Sequence, residues 1–426
     1  MSDSSSTHSR LLGGMSLSTL IFVCTSSWYI SSNSNAIASQ VLFSKFDSKD
    51  AEVEITLLAQ LLTTSQLLLG TIFSLAFFLC CGNVVSSNEN QGSGGRVFFE
   101  KVRLYDLFIG LLHYIGSLCT NMGFAYGSAS LVQCVKLLEP IETLILMVLA
   151  IVIRDKVLSR SGDTTKLEIQ QILSVRKVTS TFVIIGGTMM LLTQKSMEPN
   201  PKSIAFALVS GFCMASRNVL KKTTSTGSGD TKASGSKKSS LDIFVTGMQS
   251  FAFITTMAAI PSLAITLICW AYNYSSMHSI ISSLLKKEND TSQYLARAVV
   301  FHCLYNIFSI TVLCLTSATT HSLLNVGKRI VNVLAAAAYF GVALSASGKG
   351  GIALAALGAF LYNDNSVESI RSSVVAKYFA QAGRKGCNNV LTSQEGERSV
   401  SCSRSEEYPL TSPESEDEST SSVKSV

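Results

Sequence analysis

Two stretches decide how this chain is read: Ser130-Leu131-Val132-Gln133-Cys134-Val135-Lys136 and Ser322-Leu323-Leu324-Asn325-Val326-Gly327-Lys328. They agree at the serine, the leucine and the lysine, and each lies near the start of a long apolar run. An ammonium in hydrocarbon is costly unless it faces a cavity or a partner. Two lysines at matched places therefore point to cationic groups converging on an anion.

The surroundings of both stretches are those of a membrane protein. Of 426 residues, 47% are hydrophobic and 15% charged, and the mean hydropathy is +0.35. Several apolar runs reach the ~20 residues that a bilayer requires of a helix. The ten-residue apolar/polar alternation of a membrane β-barrel is absent from the sequence. The expected fold is an all-α polytopic membrane protein. The net charge of +6 is spread over loops, which reads as orientation and not as nucleic-acid binding. Most of the 11 cysteines fall within apolar runs, where they behave as small hydrophobes. No Cys/His spacing suits a metal, and no disulfide framework is expected.

Ten spans are expected: residues 11–32 (extendable to 43), 54–81, 104–126, 131–153, 178–192, 203–220, 241–272, 296–315, 322–344 and 350–362. An alternative takes the first as a leader cleaved near Ala36-Ile37-Ala38, but the gap from Val23 to Ala38 is long for one. Five spans plus five put the two lysine stretches at the same place in each set. Five being odd, the sets cross the membrane in opposite directions, as two inverted five-helix repeats. The division is then a cytosolic N-terminus, 1–10; a first repeat, 11–193; a second repeat, 194–363; and a tail, 364–426. A Lys/Ser/Gly/Thr-rich tether, 221–240, and the Ser/Glu-rich tail lack apolar content to fold.

Loop charge sets the orientation. Fifteen Lys/Arg lie in loops on the side of the N-terminus, from Arg10 to Lys238, against eight on the other, so both termini are expected in the cytosol. The sequons at Asn273 and Asn289 both fall on the opposite side, where glycosylation would need them.

Catalytic signatures are missing. Gly348-Lys349-Gly350-Gly351 lacks the spacing of a phosphate-binding loop, and His113 and His321 read as helix-packing groups. Glu139 stands three residues after Lys136, so a structural ion pair between them is the bland reading. Lys328-Arg329 has no acid within a turn. A planar guanidinium fork beside a point-charge ammonium suits a phosphomonoester.

The chain resembles the triose-phosphate/sugar-phosphate translocator family, a branch of the drug/metabolite transporter superfamily. The resemblance is most specific at Leu118-Cys119-Thr120-Asn121 with Val135-Lys136-Leu137-Leu138-Glu139-Pro140. It is equally specific at Tyr305-Asn306 with Thr320-His321-Ser322-Leu323-Leu324-Asn325-Val326-Gly327-Lys328-Arg329. Residues 351–362 look like the family's last helix, and Arg217-Asn218-Val219-Leu220-Lys221-Lys222 like the end of its sixth. It implies that Lys136, Lys328 and Arg329 hold a phosphate, with Thr120 and Tyr305 completing the polar shell. Where plastid members carry a histidine this chain has Ser117, and Ser39-Gln40 replaces a lysine frequent in relatives.

The function expected is antiport of a phosphorylated sugar or related organophosphate against inorganic phosphate, without enzymatic activity, cofactor or metal. A nucleotide-sugar/nucleotide antiporter of the same fold is the alternative, and a non-transporting membrane scaffold the rival from another class. The partners expected are those phosphorylated solutes and the lipid bilayer. Ten polar residues before the first span are few for a transit peptide, so an endomembrane (Golgi/ER) location is expected, with a plastid-bounding membrane as the alternative.

Overall fold

The computed structural model describes residues 17–46, 51–86, 104–158, 173–194, 199–227, 240–285, 290–316 and 318–362. Among these residues all regular structure is helical. The helices in order are α1 (Leu17–Ser44), α2 (Ala51–Ser86), α3 (Leu104–Tyr126) and α4 (Ala129–Val135). A 3₁₀ turn, Lys136–Leu138, joins α4 to α5 (Glu139–Leu158). Then come α6 (Val175–Leu192), α7 (Pro201–Gly227), α8 (Ser240–Tyr272) and α9 (Tyr274–Leu285). The series closes with α10 (Thr291–Leu315), α11 (Ala318–Tyr339) and α12 (Ala346–Tyr362).

Among the described residues six stretches are long and apolar enough to cross a membrane: Glu52–Leu79, Asp106–Tyr126, Val175–Leu192, Pro201–Lys221, Gly247–Tyr272 and Thr291–Leu315. The surface agrees with immersion in lipid. Leu79 is 86% exposed and Phe22, Ile30 and Phe182 stand well out, while Gln60, Lys136, Glu139 and Arg329 are buried inside. Apolar groups outside and polar groups within is the reverse of a water-soluble core. Of the remaining helices, α1 and α11 owe their lower apolarity to the serines, asparagines and basic residues that they turn inward.

Two expectations about spans are corrected. Residues 131–153 are not one helix but α4, the 3₁₀ turn and α5. Pro140 has no N–H to offer the Lys136 carbonyl one α-turn back, so the Glu139 N–H bonds that carbonyl instead and tightens the chain. The stretch between the expected spans 241–272 and 296–315 holds α9, whose Met277, Ile280 and Leu284 are buried against the bundle. Elsewhere α7 runs on to Gly227, seven residues into the segment read as a tether. Ala36 and Ala38, the leader alternative's cleavage site, are buried in the interior of α1. Residues 1–10, 228–239 and 364–426, with Asn289, lie outside the described residues, and Asn273 sits at the joint of α8 and α9.

The helices pack in defined pairs: α1 with α10, α3 with α7, α2 with α8, α4 with α11, and α6 with α12. Where α6 and α12 meet at Gly187 and Gly351, backbone lies against backbone. A Cβ on Gly187 would stand 2.5 Å from the Ala355 nitrogen, and one on Gly351 would stand 2.7 Å from the Gly187 carbonyl. Small residues at such a seam let helices meet by backbone contact in lipid. The α2–α8 pair is joined by polar groups instead. Gln60 Nε2 donates to Thr266 Oγ1 at 2.9 Å and to the Ser262 carbonyl at 3.0 Å, next to Pro261. The largest apolar cluster gathers Leu42 and Phe43 at the end of α1, Leu58 and Leu62 of α2, Phe124 of α3, Val132 of α4 and the buried face of α9. These segments share one end of the bundle, which the cluster fills.

Candidate functional site

The ends of two short structures position the first lysine. Ser128 caps α4, its hydroxyl accepting from the Leu131 N–H at 3.1 Å. Gly127 before it fits only without a side chain, since a Cβ would lie 2.4 Å from Ser203 Oγ. Eight residues after Ser128 the helix tightens at Lys136, whose ammonium is turned inward, the residue being 8% exposed. It donates to Thr120 Oγ1 at 2.5 Å. That hydroxyl is itself within 2.6 Å of Ser210 Oγ and 2.8 Å of the Gly116 carbonyl, so α3, α4 and α7 are tied at one point.

The second lysine comes from α11. Val326 and Val333 pack with Cys134 and Leu137 in one cluster, which sets the face of α11 against that of α4. Positions four and seven of the two matched stretches, Gln133 with Asn325 and Lys136 with Lys328, then line the same cavity. It is open at its mouth, and the empty space counted with that mouth is about 670 Å³. All five residues singled out in the sequence line it: Thr120, Lys136, Tyr305, Lys328 and Arg329.

One expectation about this group is overturned. Arg329 is not free of acids: its Nη2 pairs with Glu139 Oε2. Glu139 thus answers the arginine 190 positions on, and not Lys136 three positions back; Asn325 also donates to it at 2.9 Å. Both members of the pair are buried, and Arg329 Nε and Nη1 have no hydrogen-bond partner. The guanidinium is therefore neutralised on one edge and available on the other.

Sequence reasoning passed over Arg217 as a site residue, and it also lines the cavity. Its guanidinium bonds His113 Nδ1 at 2.8 Å and Asn218 Oδ1 at 2.9 Å, neither of them an acid. An arginine inside the apolar run of α7 was the available signal. The cavity is thus lined by two lysines and two arginines, with Glu139 as the acid facing them. Such a surplus of cations facing one cavity fits an anion, and the hydroxyls and amides beside them fit its oxygens. Among the described residues no group of His, Cys, Asp or Glu is placed to hold a metal, and seven cysteines are unpaired.

Comparison with known proteins follows the same direction. The model of the Triose-phosphate Transporter family matches residues 19–363. The chain belongs to this family. Similar curated proteins include phosphoenolpyruvate/phosphate translocator 1, chloroplastic, of Arabidopsis thaliana, 25% identical over 255 residues, which are 60% of this chain and 54% of that one. The triose phosphate/phosphate translocator, non-green plastid, chloroplastic, of Brassica oleracea var. botrytis is 24% identical, over 60% of this chain and 55% of its own. Phosphoenolpyruvate/phosphate translocator 3, chloroplastic, of Oryza sativa subsp. japonica is 26% identical over 59% and 55%. The chain spans about half the length of the curated relatives it matches.

Proposed function

We propose that this protein is an antiporter exchanging a phosphorylated sugar or related organophosphate for inorganic phosphate by alternating access. The carrying observation is that α4 and α11 bring Lys136, Lys328 and Arg329 to one cavity, with Thr120 and Tyr305 at its wall. Each charged contact to phosphate contributes about 1.5–3 kcal/mol. The family and the names of its plastid relatives support the same substrate class.

The reading includes ten spans in two inverted repeats, 11–193 and 194–363, and the packing pairs support it. Let the spans be α1, α2, α3, α4 with α5, and α6, followed by α7, α8, α10, α11 and α12. Exchanging the two sets turns the α1–α10 pair into α7–α3, and leaves α2–α8, α4–α11 and α6–α12 as themselves. A two-fold axis in the membrane plane produces this pattern. On this topology both termini are cytosolic, and the apolar cluster lies toward the opposite end of the bundle. The chloroplastic relatives favour a plastid-bounding membrane over the Golgi or ER; imaging of a tagged protein in its own cells decides between them.

Counterflow in liposomes tests the function. Vesicles preloaded with phosphate should take up labelled phosphate, triose phosphate or phosphoenolpyruvate, and unloaded vesicles almost none. Exchange of nucleotide sugars alone would support the nucleotide-sugar alternative. A folded protein that exchanges nothing phosphorylated would overturn the proposal.

A further inference from the structure

The three cations of the proposed site are held by three kinds of partner. Lys136 has a hydroxyl and Arg329 has a carboxylate. Lys328 has neither: no acid pairs with it among the described residues. Its ammonium instead lies 4.8 Å from the centre of the Trp28 ring and 5.9 Å from that of Tyr305. Trp28 is 1% exposed and stacks on His321, ring centres 5.0 Å apart and planes at 15°. Its indole N–H has no hydrogen-bond partner, so no polar contact of its own explains why the ring stands there.

The neighbouring residue fixes the distance. Tyr29 donates its hydroxyl to the Leu324 carbonyl at 2.6 Å, docking α1 on the turn of α11 that precedes Lys328. Gly327 makes this approach possible, because a Cβ there would stand 2.7 Å from the Tyr29 oxygen. The indole face is thereby held against the ammonium. A ring face attracts a cation through its quadrupole, most strongly when water is excluded. Unlike a carboxylate it brings no net charge, so it orients the ammonium without cancelling it or repelling an incoming anion.

We propose that Trp28 is the positioning residue that seats Lys328 for the transported anion, a role that rests on the phosphate-exchange reading above. If the ring merely fills space between α1 and α11, its electron density is immaterial. If it seats the ammonium, withdrawing electrons from the ring weakens anion binding at constant shape.

The chain has two tryptophans, Trp28 and Trp270. In a Trp270→Phe background, Trp28 is replaced biosynthetically by mono-, di- and tetrafluorinated tryptophan, and the protein is reconstituted for phosphate counterflow. The expected result is a stepwise rise in KM for phosphate, roughly tenfold across the series, with maximal rate and melting temperature unchanged. A KM that stays flat or falls with fluorination, in a parent that exchanges phosphate, would overturn this inference alone. A parent that exchanges no phosphate would overturn the transport reading, and this inference with it.

Discussion

Replacing Glu139 by glutamine removes one negative charge and almost no volume. The carboxylate it replaces is buried between α5 and α11, pairs with Arg329 and accepts from Asn325. Asn325 keeps an acceptor in the amide oxygen. Arg329 loses its counter-charge while Nε and Nη1 are already without partners. Removing one member of a buried ion pair costs about 3–5 kcal/mol, because the other charge stays buried; the retained hydrogen bond argues for the lower end. That corresponds to a fall in melting temperature on the order of 5–10 °C. An anion from solution can take the vacated role. Phosphate stabilises the parent as well, so the gap narrows only if the variant binds it more tightly through the freed Arg329; a Kd lowered a hundredfold recovers about 2.7 kcal/mol at saturation, close to the loss. The purified Glu139→Gln protein should therefore melt well below the parent in phosphate-free buffer and regain most of the difference as phosphate rises. Chloride at matched ionic strength should not do this. A deficit that stays constant at every phosphate concentration, or no deficit at all, would refute the reasoning.

The Lys328→Ala/Arg329→Ala double variant loses both cations that α11 gives to the cavity, and its counterflow should fall to that of protein-free vesicles while it still melts cooperatively. Arg329→Lys keeps the charge but not the planar fork, and should weaken apparent phosphate affinity roughly tenfold. Thr120→Val deletes the acceptor 2.5 Å from Lys136 Nζ; a lost hydrogen bond to a charged group, about 1.5–3 kcal/mol, should appear as a KM raised at least tenfold. Gly327→Ala forces a methyl onto the Tyr29 hydroxyl and should destabilise by about 1–3 kcal/mol in denaturation. Adding Tyr29→Phe, which removes the obstructing oxygen, should restore most of that loss.

What the sequence made legible was local or periodic. Apolar runs marked the helices, and the repeated serine, leucine and lysine marked the two segments that meet at the cavity. The partner of Glu139 was out of reach because the search for ion pairs ran along one helix, and the pair that forms crosses between two. The break at Lys136 was signalled by Pro140, whose effect falls four residues earlier than the proline itself. Helix α9 was hidden by its serines, although Met277, Ile280 and Leu284 keep a helical period. Trp28, which with Tyr29 resembles the family's first helix, gave no sign of a cation beside it. A buried tryptophan in an apolar run looks like packing until a cation is found over its ring.

The seam between α6 and α12 has a consequence for how such a molecule moves. Interleaved side chains give way by changing rotamer, but two backbones touching at Gly187 and Gly351 have nothing between them that can yield. Sliding one past the other would first require prising them apart. A rearrangement that changes which end of the cavity meets water must then carry α6 and α12 as a single rigid spar. The bending falls on the joints, among them Gly341, which links α11 to that spar with φ at +67°, a conformation open chiefly to glycine.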